Sequence, residues 1–144
     1  MELDPAFCAW AAMAGVVAVY AHGSRVRGKA RPDSDLDLAI LLGSRLDWRA
    51  EEQLCLEAER RLPSEFRLDI RILNEAPPAF QFRVVRERCL LFESDRSARV
   101  RFEAGVFAAY HDQQYYRDLY DAALHDRIRE GRFGRRPAIY RPPA

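Results

Sequence analysis

Residues 23–37 combine a Gly-Ser pair with an Asp-x-Asp pair, and ten residues separate the two pairs. Glycine lets the backbone approach a ligand closely. The free N–H groups of a following helical turn, together with the hydroxyl of Ser24, are donors suited to phosphate. Asp35 and Asp37 supply hard oxygen ligands of the kind that bind Mg²⁺ together with substrate phosphates. The spacing therefore indicates transfer of a nucleotidyl group with a divalent metal.

Two apolar runs flank this motif and position it. The run Val16–Tyr20 is β-branched and uncharged, as expected of a buried strand, and it leads into Gly23. Ser24 is a natural N-cap for a short helix over 25–27, with Gly28 as its stop. The second run, 36–42, follows the aspartates. Because side chains alternate along a strand, Asp35 and Asp37 are expected on one face of it.

A third acidic residue, Asp69, lies in the middle of the next predicted strand, 66–73. The alternation places Asp69 on one face with Arg67 and Arg71, and the apolar residues on the other. An acidic residue in mid-strand is uncommon, so we predict Asp69 as the third metal ligand and catalytic carboxylate. The alternative is a polar hairpin-like loop whose aspartates cap turns, but the strand context and Asp69 favour the metal site.

The segment from Ala21 through Leu38 resembles the DNA polymerase β-like nucleotidyltransferase superfamily. It is most similar to the minimal nucleotidyltransferases (MNT) that act as antitoxins to HEPN ribonuclease toxins. Residues 82–95 resemble the family's helix–turn–strand, and 99–103 together with 110–112 resemble its C-terminal helix, so the similarity covers about residues 10 to 130. Two positions depart from the family: His22, where a large apolar residue is usual, and Arg88, where glycine is usual.

The resemblance implies that the chain uses Mg–ATP to transfer AMP to a tyrosine hydroxyl of a HEPN toxin and thereby silences it. Asp35 and Asp37 would hold two Mg²⁺ ions that clamp the attacking and leaving oxygens. Asp69 would bind the catalytic ion or act as the base for the acceptor hydroxyl. Gly23 and Ser24 would hold the β- and γ-phosphates.

Other assignments stay open on the sequence alone. Arg25 or Arg27 would neutralise phosphate charge, or else would be an ordinary solvated side chain; we take Arg25 as the nucleotide-binding candidate. One alternative function is a small-molecule, aminoglycoside-like adenylyltransferase, although such enzymes usually carry a larger C-terminal helical domain. Another is an antitoxin that acts by stoichiometric binding without catalysis.

The order of elements predicts an α/β (α+β) fold, with a small mixed sheet of about four strands and helices packed on it. Helices are expected from Pro5 to about Gly15, over 48–62 and over 79–86, followed by a strand at 89–93. Residues 1–95 would form the nucleotidyltransferase core. Residues 96–144 would form a long C-terminal helix and a flexible tail, both part of the same domain.

The C-terminal helix carries more aromatic side chains than a small core requires. We expect Phe102, Val106 and Ala109 to pack on the back of the sheet. Tyrosine is favoured in interfaces, so residues 110–130 are predicted to bind a partner through four tyrosines: Tyr110, Tyr115, Tyr116 and Tyr120.

The composition of the chain indicates which kinds of partner and which cellular compartment to expect. The 144 residues include 23 basic and 22 acidic side chains, a net charge of +1, which gives no reason to expect direct nucleic-acid binding. Three cysteines match no metal-ligand spacing, so free thiols in a reducing compartment are expected. The apolar stretch 6–20 lacks the basic start of a signal peptide, and no window reaches the length of a membrane span. We therefore expect a cytoplasmic protein that binds no membrane.

Overall fold

The chain folds around a four-stranded mixed sheet with helices on it, which confirms the predicted fold class. The structure is a computed structural model that describes residues 3–62, 67–87 and 89–131, and within these it does not describe the side chains of 116 and 117. Four predictions lie outside the described residues: Phe66 as part of the third strand, the Arg88 departure, the side chain of Tyr116, and the tail beyond 131.

Within the described ranges, the elements in chain order are α1 (Pro5–Met13), β1 (Val16–His22), α2 (Gly23–Val26), β2 (Leu36–Leu42), α3 (Trp48–Arg61), β3 (Leu68–Ile72), α4 (Pro78–Glu87), β4 (Cys89–Glu93) and α5 (Arg96–Arg129). Both β2 and β4 have the predicted bounds. The prediction that Ser24 is a helix cap was wrong. Arg27 N donates to Gly23 O at 3.2 Å, so the helix begins one residue earlier, at the glycine.

The strand order is β3-β2-β1-β4, with β2 and β3 parallel and the other neighbours antiparallel. His22 is paired with Asp37 across β1 and β2, and Asp37 is paired with Asp69 across β2 and β3. Directly paired residues on adjacent strands share a face of the sheet. The register therefore places His22, Asp37 and Asp69 in one row across three strands.

Helices cover both faces of the sheet, which explains why β1 is buried along its whole length. One face packs against α1 and α3 through a cluster that includes Phe7, Ala11, Val19, Ile40, Leu54 and Ala58. The opposite face packs against α4 and the start of α5 through Tyr20, Ala39, Leu41, Phe80, Val84 and Phe102. By strand alternation, this second face carries the row of His22, Asp37 and Asp69.

The chain divides into two compact units, Met1–Ala109 and Tyr110–Ala144, and α5 contributes residues to both. In the first unit Val106 is buried and Phe102 packs on the sheet, as predicted, whereas Ala109 is exposed. In the second unit Tyr115 and Tyr120 are 63% and 68% exposed. The ring of Tyr110 lies 6.3 Å from that of His111.

Cys8, Cys55 and Cys89 are free thiols, as predicted. Among the helices that the structure describes, none combines the length and the apolar composition needed to cross a bilayer.

Candidate functional site

Gly23 begins α2 where β1 ends, in a conformation that favours glycine. Its φ is +83°, in the left-handed region that other residues rarely adopt. A Cβ built on Gly23 would lie 2.0 Å from Oδ2 of Asp37 and 2.8 Å from its Cγ. Glycine is therefore needed both for the backbone conformation and for the space that the Asp37 carboxylate fills. The Gly-Ser turn, with Ser24 half-buried beside it, is in contact with the second aspartate of the motif.

The three predicted carboxylates are arranged unequally. Asp37 and Asp69 are paired on parallel strands, so their Cα atoms are separated by about one strand spacing, ~5 Å. Asp35 is exposed and lies one residue before β2. Across the described ranges, no three His, Cys, Asp or Glu side chains are grouped closely enough to hold a metal ion. The register brings Asp37 and Asp69 together, but their side chains do not converge with a third ligand.

The side chain of Asp69 is held by Arg71 on the same strand. Nη2 of Arg71 donates to Oδ2 at 3.0 Å, and Nε donates to both carboxylate oxygens at 3.2 and 3.3 Å. These hydrogen bonds and the charge of Asp69 raise the pKa of Arg71. The side chains of Arg71 and Asp69 are 59% and 37% exposed, so solvent screens the pair and its loss costs little. Asp69 therefore has a counter-charge that a cation can replace.

The donor set of Asp35, Asp37 and Asp69 suits Mg²⁺. All three ligands are carboxylates, the hard oxygen donors that this ion prefers, and Mg²⁺ commonly uses one or two of them together with substrate phosphates and water. The absence of a side chain on Gly23 leaves room for the carboxylate of Asp37 at the end of the phosphate turn. The metal assignment fits the chemistry of these residues and stays a prediction.

His22 contributes a buried polar group to the same row. It is 4% exposed, and its ring meets that of Phe80 edge-on at 5.2 Å. Burial lowers the pKa of His22, although the charges of Asp37, Glu87 and Asp69 oppose the shift. Within the part of the chain that the structure describes, Nε2 of His22 has no hydrogen-bond partner.

Arg25 holds the loop between α2 and β2. Its Nε donates to the carbonyl oxygen of Ser34 at 2.9 Å, and its Nη2 donates to that of Pro32 at 3.4 Å. The Ser34 hydroxyl in turn accepts from Arg31 N at 2.9 Å. Because this loop ends at Asp35, Arg25 restrains the position of the first aspartate of the motif. Its role in nucleotide binding stays a prediction.

Sequence reasoning missed one residue of the site, Glu87. Its Oε2 accepts a hydrogen bond from Gly23 N at 2.8 Å, and its Oε1 accepts one from Arg27 Nη1 at 3.0 Å. The Glu87 side chain is only 12% exposed. Gly23 and Glu87 are 64 positions apart, so no local pattern reveals the contact. The only sequence signal was a charged residue at the end of a short amphipathic helix.

Comparison with known proteins identifies the fold. The family model described as "Polymerase beta, Nucleotidyltransferase" matches residues 11–97. No curated protein sequence matches the chain. Among solved structures, a toxin-antitoxin crystal structure with AMP-PNP matches at 20% identity and a TM-score of 0.57, covering 77% of this chain and 87% of that one.

Two further structures resemble this chain. A tri-AMPylated Shewanella oneidensis HEPN toxin in complex with MNT antitoxin matches at 20% identity and a TM-score of 0.56, covering 77% of this chain and 84% of that one. The toxin-antitoxin MntA-HepT matches at 17% identity and a TM-score of 0.57, covering 85% of this chain and 99% of that one. At these identities the likeness shows the fold, and it confirms the predicted polymerase β-like arrangement.

The matched segment carries the Gly-Ser turn, the Asp-x-Asp pair and Asp69, and these are the residues on which the predicted resemblance depends. It spans more than half of the 144 residues. The chain therefore belongs to the polymerase beta nucleotidyltransferase family.

Proposed function

We propose that this protein is an antitoxin that transfers AMP from ATP to a tyrosine hydroxyl of a HEPN-type toxin. The observation that carries the proposal is the contact of the Gly23 turn with Asp37, which brings a phosphate-binding backbone and a carboxylate together in a nucleotidyltransferase fold. The similar structures support the choice of acceptor and nucleotide: one is a tri-AMPylated HEPN toxin with an MNT antitoxin, and another contains AMP-PNP.

In this proposal each part of the site has a separate task. Gly23 and Ser24 would hold the phosphates at the start of α2, through the hydroxyl of Ser24 and the backbone N–H groups that Glu87 does not occupy. Asp37 and Asp69, with Asp35, would hold Mg²⁺, which when bound neutralises the charge of the triphosphate. Asp69 would also accept the proton of the incoming hydroxyl.

Exposed tyrosines on α5 supply the partner surface of the proposal. Tyr115 and Tyr120 are well exposed within the second unit. Tyrosine provides a large contact area and a hydrogen-bonding hydroxyl, so exposed tyrosines commonly act as interface anchors. Tyr110 and Tyr116 belong to the same proposed surface.

The proposal is tested by incubating the protein with labelled ATP, Mg²⁺ and the protein encoded beside it. Wild type should label the partner. Asp37→Asn keeps the shape of the side chain but removes its charge, and should reduce labelling by about 100-fold or more, the scale for losing a group that stabilises transition-state charge. Asp33→Asn, an exposed carboxylate on the same loop, is the matched control and should label normally.

Three outcomes would contradict the proposal. Equal labelling by wild type and Asp37→Asn would remove Asp37 from the site. Full inhibition of the partner without ATP would indicate an antitoxin that acts by binding alone. Label on an aminoglycoside supplied in a parallel reaction, with none on the partner, would indicate the small-molecule enzyme.

A further inference from the structure

A single carboxylate joins both ends of the turn that we propose to bind phosphate. Glu87 accepts from the backbone N–H of Gly23 at the start of α2 and from the guanidinium of Arg27, the C-cap residue of this helix. Each carboxylate oxygen of Glu87 accepts from one of these two donors. The carboxylate thus fixes the backbone at one end of the four-residue helix and a side chain at the other.

The turn needs such a restraint because its own sequence does not supply one. Glycines with positive φ lie at both ends, at +83° for Gly23 and +66° for Gly28, and glycine permits a conformation without enforcing it. A helix of four residues is also too short to be stable alone. The conformation must therefore be held by contacts from elsewhere in the fold, and Glu87 makes two of them.

Glu87 is well placed to act as the fixed point. It is the last residue of α4, next to a stretch anchored by Val84 and Val85, which are 0% and 1% exposed. A negative charge at the C-terminal end of a helix is unfavourable, and Glu87 also lies close enough to His22 to oppose the lowering of its pKa, as Asp37 does. A carboxylate in so acidic a neighbourhood is stabilised by its two donors, Gly23 N–H and Arg27.

We propose that Glu87 is a positioning residue for nucleotide binding, and that it holds the Gly23–Arg27 turn in its phosphate-binding conformation before ATP arrives. The inference rests on the proposed function, since it takes this turn as the phosphate site. Preorganisation lowers the cost of ordering the turn when the ligand binds. Glu87 does not itself contact the phosphates.

The experiment compares Glu87→Ala and Glu87→Gln with wild type. The glutamine keeps an oxygen that accepts from Gly23 N–H but lacks the charge that pairs with Arg27. Glu103→Gln is the matched control, because the Glu103 side chain is also only 20% exposed and accepts from two donors, the hydroxyl of Tyr20 and Nη1 of Arg99. Three quantities are measured: the Kd for ATP with Mg²⁺ by calorimetry, the exchange rate of the Gly23 amide without nucleotide by NMR, and the melting temperature.

Glu87→Ala should weaken ATP binding by about tenfold, the scale for losing a hydrogen bond to a charged group. Glu87→Gln should weaken it by about threefold, because the bond to Gly23 remains while the ion pair is lost. The Gly23 amide should exchange faster in Glu87→Ala than in the other proteins. Glu103→Gln should bind ATP as wild type does, even where its melting temperature falls.

Several results would overturn the inference. If Glu87→Ala binds ATP as tightly as wild type, or more tightly, then the carboxylate is dispensable or competes with phosphate. If Glu103→Gln loses the same affinity, the effect is general destabilisation. If wild type itself fails to bind ATP, the proposed function is refuted and this inference with it. If wild type binds ATP and the Glu87 variants bind it equally well, only the positioning role is refuted.

Discussion

Replacing Gly23 with alanine separates the two reasons for glycine at the start of α2. Alanine at φ +83° meets the backbone penalty of the left-handed region, about 1–2 kcal/mol. Its Cβ would also lie 2.0 Å from Oδ2 of Asp37, where contacts below 3.0 Å essentially never occur. The carboxylate must therefore move by about 1 Å, and a misplacement of that size in a catalytic group costs about 100-fold in rate.

Gly28→Ala provides the matched control. Gly28 has a similar φ of +66°, but a Cβ there would meet nothing within 4 Å. Both variants should therefore lose similar unfolding free energy from the backbone, about 1–2 kcal/mol, and their melting temperatures should fall by about 3–6 °C. Only Gly23→Ala carries the additional clash with Asp37.

The assay measures transfer of labelled AMP to the partner at saturating Mg²⁺, alongside thermal melting of each variant. Gly23→Ala should lose about 100-fold of its transfer rate, whereas Gly28→Ala should stay within a few-fold of wild type. The reasoning is refuted if both variants lose activity equally, since backbone strain would then explain the effect. It is refuted as well if Gly23→Ala transfers AMP at the wild-type rate.

Three further predictions address groups around the site. Burial, reinforced by the hydrogen bond to Glu103, raises the pKa of the Tyr20 hydroxyl. The folded state therefore retains the hydroxyl proton where the unfolded state loses it, and the unfolding free energy should fall as pH rises above about 10. Denaturant titrations should show a weaker dependence of unfolding free energy on pH in Tyr20→Phe, and an unchanged dependence would contradict the prediction. His22→Phe removes the buried unpartnered Nε2 and should raise the unfolding free energy by about 1 kcal/mol. A lower melting temperature would contradict this prediction. Weaker ATP binding in the variant would indicate that Nε2 takes part in binding the nucleotide. Replacing Tyr115 and Tyr120 with serine should weaken partner pull-down by about thirtyfold or more without lowering the melting temperature, because both side chains are exposed; a collapse in melting would place them in a core.

The local parts of the site could be predicted from the sequence because the relevant signals lie within one strand or one turn. Alternation along a strand placed Asp69 and Arg71 on one face, and the structure shows them hydrogen-bonded there. The apolar runs gave β2 and β4 their observed bounds. The motif also predicted the polymerase β-type fold, because Gly23 and Asp37 are close enough in sequence to be recognised together, and the family match confirms that fold.

The parts that could not be predicted depend on pairs that are distant in sequence. Glu87 reaches Gly23 only because α4 packs on the sheet and ends beside β1. The burial of His22 likewise depends on Phe80 of α4. Alternation of side chains says which face a residue occupies, but not which helix covers that face or how closely.

The degree of burial distinguishes the two ion pairs of the site. Asp69 and Arg71 are both substantially exposed, so solvent screens their attraction and a bound cation can displace Arg71 at low cost. The Glu87 side chain is 12% exposed and that of its partner Arg27 is 48% exposed, so this carboxylate is less hydrated than Asp69 and loses more when a donor is removed. Nucleotide binding should therefore rearrange the first pair and leave the second in place. Asp69 can exchange Arg71 for a metal ion, while Glu87 keeps the Gly23–Arg27 turn in the conformation that nucleotide binding requires.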